Sequence, residues 1–315
     1  MKKLLAVATV LAVLVLLSSA TARAGDDKIN FAFHLEEGQS YKLLVTTDQE
    51  ILQQVQGREM KVRQTLGIGY TFAVTDVDDE GTATIDVTFG PVSTKVDTSM
   101  GTFEYDSEDP PDEVPMPAQN MAALLGKSFT MKLTTKGEVA EVTGTEALLN
   151  EMLELIDVPE GPIKDKMIED VKKQFGEAGL KETMGNRTAI FPDQPVGIGD
   201  SWTRTVTVSA GLPMVTETTY TLVGRDDGIA TIEIEATVKA NPDAEPISMG
   251  PMTMRYELEG TQEGTLKIDE ATGWYAEGTM TKNLEGKVIM SGMPGQEGEM
   301  PIAMTVKSTI TFETE

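Results

Sequence analysis

The stretch VDDEGTATIDV, residues 77–87, returns in nearly the same letters as RDDGIATIEIE, residues 225–235. Each is an acidic turn containing glycine, followed by strict alternation. In the first, Ala83, Ile85, Val87 and Phe89 fall on one side, opposite Thr84, Asp86 and Thr88. In the second, Ala230, Ile232, Ile234, Ala236 and Val238 oppose Thr231, Glu233, Glu235, Thr237 and Lys239. Successive side chains of a strand point to opposite faces, so a period of two predicts strands with one buried and one wet face. Antiparallel sheets covered on one side read this way.

The likeness extends outward from these two phrases. GQSYKLLVTT from Gly38 matches GDSWTRTVTV from Gly199, which sets Tyr41 against Trp202. The strand led by Tyr70 matches the one led by Tyr220, and TMKL from Thr130 matches TLKI from Thr265. The last pair turns through Gly137 and Gly273 into a further strand. The order is kept, and the offset between copies falls along the chain, as longer connections in the first copy would produce.

Helical spacing is confined to the middle. Leu148, Leu149, Met152, Leu153 and Ile156 form one stripe, and Ile163, Met167, Ile168, Val171 and Phe175 form a second. A shorter helix is expected near residues 118–125. At the C-terminus Met300, Ile302, Met304, Val306, Ile310 and Phe312 share a face. The expected fold is α+β, mainly β: two duplicated curved antiparallel sheets, half-barrel or sandwich-like, with central helices as cover. The expected division is a signal peptide at 1–24, a first β-repeat at 25–144, a helical connecting segment at 145–188, and a second β-repeat with a C-terminal hairpin at 189–315.

The leader expectation rests on Lys2 and Lys3, the apolar run Leu4 to Leu17, and the small residues Ala22 and Ala24. The run is short for a membrane span. Export to the periplasm or beyond the cell is expected, without stable membrane insertion after cleavage. The 315-residue chain has no cysteine, so thiolate metal sites and disulfides are excluded. Its formal charge is −25, which repels nucleic-acid phosphates.

No motif names a reaction. The single histidine, His34, stands alone, so neither a zinc-protease signature nor a histidine triad can be assembled. LLGKS, residues 124–128, has Met121 where a phosphate-binding loop needs glycine. An EF-hand counted from Asp76 ends on Val87, where a bidentate glutamate belongs; weak surface calcium binding at the acidic turns stays open. No catalytic residue, cofactor or metal site is expected, and a hydrolase is the weakest reading. Met252, Met254, Met300 and Met304 share parity with apolar neighbours and are expected to form a soft lining for a ligand.

With its secretory start, the phrase PVGIGDSW (residues 195–202), its glycine hairpins and its length, the chain resembles an uncharacterised bacterial family of secreted proteins of unknown function. The resemblance covers most of the mature chain, through short motifs. A curved sheet with an internal helix is also similar in outline to periplasmic lipoprotein-carrier proteins, which hold acyl chains between sheet and helices. That likeness is of fold alone, with no residue motif behind it. The expected function is a non-catalytic envelope protein holding a lipid-like or apolar ligand between sheet and helices. The alternative is a structural or interaction module whose partner is another envelope protein.

Overall fold

The computed structural model describes residues 28–55, 57–99, 101–155, 160–208, 212–249, 252–292 and 298–314. The expected leader and Ile156 lie outside the described residues, as does the side chain of Ile163.

The first run of strands is β1 (Ser40–Val55), β2 (Arg58–Val77), β3 (Ala83–Thr98), β4 (Gly101–Asp106), β5 (Ser128–Leu133) and β6 (Val139–Thr143). The second is β7 (Ser201–Val208), β8 (Met214–Asp226), β9 (Ile229–Ala240), β10 (Ile247–Met249), β11 (Met252–Asp269), β12 (Tyr275–Ser291) and β13 (Met300–Thr314). A short α1 (Gln119–Ala122) precedes β5, and α2 (Glu146–Glu154), α3 (Pro162–Phe175) and α4 (Glu177–Thr188) separate the two runs. The mainly β, antiparallel character and the central helices are as the sequence predicts. The two expected sheets are one: β13 pairs with β12 on one side and β1 on the other.

The sheet order is β6-β5-β3-β2-β1-β13-β12-β11-β9-β8-β7, with β4 beside β3 and β10 beside β11. Read from β1 outward and from β7 inward, the same meander appears twice. Its irregularities recur too: the register shifts between Lys132 and Leu133 and again between Lys267 and Ile268. Registers correct one sequence match. Tyr41 faces Phe72 on β2, and Trp202 faces Tyr220 on β8, so Phe72 rather than Tyr70 is the counterpart of Tyr220. The slip is one full pleat, so the same face is kept.

The sheet is strongly curled. Ten strand spacings of about 4.8 Å would put β6 and β7 about 48 Å apart if it were flat. Instead, Lys136 and Glu138 of the β5–β6 hairpin and Arg204 to Val206 of β7 line one pocket of about 350 Å³. The connector fills this seam. Arg204 donates to Asp193 at 2.9 Å, and Trp202 donates to the Ile190 carbonyl at 2.7 Å.

The concave side holds the main core. Ile85, Val87, Ile232 and Ile268 have almost no exposed surface. Helix α2 contributes Leu148 and Met152, and α4 contributes Leu180 and Met184. The stripe expected on α3 is only partly used: Val171 and Phe175 touch the core, while Met167 stays exposed. Part of the cover was not anticipated. Residues 29–35 run through the core as an extended segment with Phe31, Phe33 and Leu35 buried. Phe33 N donates to the Thr135 carbonyl, and His34 N to the Thr272 carbonyl, at 2.8 and 2.9 Å. Those acceptors belong to equivalent hairpins of the two meanders. Each hairpin turns on a glycine of positive φ, Gly137 and Gly273, where a Cβ would collide with Thr188 and Ala32 backbone respectively. Glycine is needed there for both conformation and space.

Candidate functional site

The concave wall of the central strands is ordered in rows, because directly paired residues share a face. One row runs Leu266, Gly278, Phe312, Val45 and Ile68 across β11, β12, β13, β1 and β2. The next is Gly264, Met280, Ile310, Thr47 and Leu66. The third is Gln262, Lys282, Ser308, Gln49 and Gln64. The fourth returns to Gly260, Leu284, Val306, Ile51 and Val62. A polar belt therefore crosses an otherwise apolar wall.

The belt separates two apolar clusters. On one side lies the main core beneath the helices. On the other, Met214, Val238, Leu258, Leu284 and Val306 form a second cluster. Between them Val45, Leu66, Ile68, Met280, Ile310 and Phe312 are only half-buried. At Gly260 and Gly264 an added Cβ would strike the β12 backbone at Asn283 and Thr279. The missing side chains let the strands coil closely there.

Charge on the wall is distributed unevenly. No Asp or Glu occupies an inward position on β1, β2, β9, β11, β12 or β13, although the chain has 51 acidic residues. Glu233, Glu235, Glu257, Glu259 and Glu285 all stand on the opposite face. Of the inward cations, Arg204 pairs with Asp193 and Arg225 with Glu270, while Arg58 stands exposed at a hairpin tip. Lys282 has no hydrogen-bond or ion-pair partner among the described residues. Burial pushes its ammonium below the usual lysine pKa. Its cross-strand neighbours are Gln262 and Ser308; the Gln262 amide donates to the Met280 sulfur at 3.3 Å.

The four expected lining methionines stand on this same face, nearer the strand ends. Met254 and Met300 belong to one row, joined through Met290. Met304 lies four residues along β13 and packs on the second cluster, and Met252 pairs with Met249 of β10. Met254 and Met304 border a groove of about 870 Å³ with Tyr256, Leu258 and the loop after β9. Glu59, Glu257, Glu259 and Glu285 of the opposite face also line it, so the groove wraps the sheet edge and is not an apolar concave site. Residues 255–258 of β11 lie between the ends of its β9 and β10 pairings, so that edge of the strand is open there.

Sequence reasoning missed Lys282, Gln262 and Ser308. A signal was present: the C-terminal stripe skips from Val306 to Ile310, and the missing member is Ser308. Lys282 likewise interrupts Met280, Leu284, Val288 and Met290.

The acidic turn does structural work. The Asp78 carboxylate accepts from the backbone N–H groups of Glu80 and Thr82 at 2.9 and 2.8 Å. No group of three potential metal ligands occurs among the described residues. No helix among them is long and apolar enough to cross a membrane.

Fold and wall together define an open, curled antiparallel sheet whose concave face carries a half-covered apolar lining. The chain belongs to DUF6263, a family of unknown function, which matches residues 80–275. No curated protein matches it. Among solved structures it is similar to lipovitellin, in an entity described by its lipid–protein interactions, at TM-score 0.47 and 10% identity. That alignment covers 89% of this chain and 25% of lipovitellin, so the chain spans about a quarter of that protein's length. An outer membrane channel from Pseudomonas putida F1 aligns at TM-score 0.24 and 8% identity over 90% of this chain and 97% of the channel. OccK7 (OpdD) of Pseudomonas aeruginosa aligns at 0.22 and 6%, over 88% and 99%.

Proposed function

We propose that the protein is a non-catalytic, secreted envelope protein that holds an apolar ligand against the concave face of its sheet. The observation that carries this reading is the half-buried apolar lining between the two clusters. Val45, Ile68, Met280 and Phe312 pack against the main core yet keep part of their surface exposed, as the walls of ligand sites do. The adaptable thioethers at the strand ends suit such a lining. Secretion rests on the basic start, apolar run and small-residue site of the N-terminus.

The test is native mass spectrometry of protein purified from its own compartment, before and after incubation with 1-tetradecanol. The expected result is a co-purifying apolar molecule, or uptake of one alcohol per chain. A protein that is empty as isolated and takes up neither this alcohol nor an acid of the same chain length refutes the reading.

A further inference from the structure

Lys282 is the anomaly of the concave wall. A chain of net charge −25 keeps its acidic residues off the inward side of these strands, yet places a lysine at the middle of β12, facing in. Burying a cation without a counter-charge is unfavourable, so natural interiors pair or neutralise such groups. The other inward cations are paired or exposed: Arg204 has Asp193, Arg225 has Glu270, and Arg58 stands in solvent at a hairpin tip. Around Lys282 the wall offers only neutral polar groups, Gln262, Ser308 and Gln49. All three carry donors that suit an anion. The rows on the helix side of Lys282 are the half-buried ones, from Met280 and Ile310 to Phe312 and Val45. From the Lys282 row to the Phe312 row the distance along the strands is about 13 Å, four residues at about 3.3 Å each.

We propose that this wall binds a long-chain carboxylate, with its head on the Lys282 ammonium and its tail along the Met280–Phe312 track. The proposal rests on the apolar-ligand reading above and specifies its chemistry. One lysine offers one positive charge, which a carboxylate monoanion neutralises and a phosphate dianion would overcompensate. The outward carboxylates do not forbid entry, since charges more than a Debye length away, about 8 Å at physiological salt, are largely screened.

The experiment compares tetradecanoic acid with 1-tetradecanol, titrated into the full mature protein and read by native mass spectrometry and calorimetry. Wild type should bind the acid at least about tenfold more tightly than the alcohol, the effect of one charge-assisted contact in a partly dry site. Lys282→Met should bind both with equal affinity, through loss for the acid alone. Lys282→Gln is the second neutral variant should the first fail to fold, and Lys282→Arg should keep the preference. Equal binding of acid and alcohol by wild type overturns the role of Lys282 and leaves the apolar site standing. An acid preference that survives in both neutral variants also overturns it. Binding of neither ligand overturns both readings.

Discussion

Replacing Gly273 by alanine tests how the N-terminal segment is held. Gly273 has φ 73°, and a Cβ there would lie 2.8 Å from the Ala32 carbonyl carbon and 3.1 Å from the Phe33 Cα. Gly126 has the same φ of 73°, with nothing within 4 Å of its Cβ position. Both substitutions carry the left-handed backbone penalty, about 1–2 kcal/mol. Gly273→Ala must in addition push back a backbone segment that carries Phe31 and Phe33, each 2% exposed. It also threatens the His34 N–H to Thr272 bond. Overpacking of that kind costs about 1–3 kcal/mol. The expected totals are about 1–2 kcal/mol for Gly126→Ala and about 2–5 kcal/mol for Gly273→Ala. Urea unfolding followed by tryptophan fluorescence measures both, because Trp274 is buried one residue away. Equal midpoints for the two variants, at unchanged slope, would refute the close docking of residues 29–35 on the hairpin.

Three further outcomes follow from the same packing. Ile232→Ala, at a position with no exposed surface, should cost about 2–5 kcal/mol in urea, whereas exposed Met116→Ala should cost under about 0.5 kcal/mol. The Arg225 guanidinium, at 2.7 Å, holds the Glu270 carboxyl below the usual glutamate range. Its stabilisation is therefore present above the unfolded glutamate pKa and is lost as pH falls through the lower folded value, so Glu270→Gln should flatten the acid limb of a stability–pH curve. Lys282 has the opposite consequence: with its folded pKa depressed, the protonated side chain costs stability at neutral pH, and stability rises as pH climbs from the folded pKa toward the unfolded one. Lys282→Met should thus raise the urea midpoint at pH 7 and remove that alkaline rise; a lowered midpoint would show that the ammonium is well accommodated.

Much of this architecture is written locally. Every inward position of β9 named from alternation, from Ala230 to Val238, is buried. A strand's two faces differ by one residue step, so a chain with one buried face displays it in sequence. Helix α4 is harder to see, because its Leu180 and Met184 are two apolar residues in a largely polar run. The site was half visible. The methionines announce themselves by composition, whereas Lys282 looks like any strand lysine until its neighbours are known.

The sequence by itself determined the strand periodicity, the twice-written meander, the helical middle and the lack of any cysteine thiolate. These depend on residues adjacent in the chain or on composition. The tertiary structure decided how the copies meet. β13 bridges β12 to β1, across more than 250 residues of sequence separation to Gln53, whose amide reaches the Met304 sulfur. It also decided that residues 29–35 serve as core and that Gln262, Lys282, Ser308 and Gln49 form one belt. Three of the four come from the consecutive strands β11, β12 and β13 and the fourth from β1 at the other end of the chain, and only the registers of pairing bring them into line.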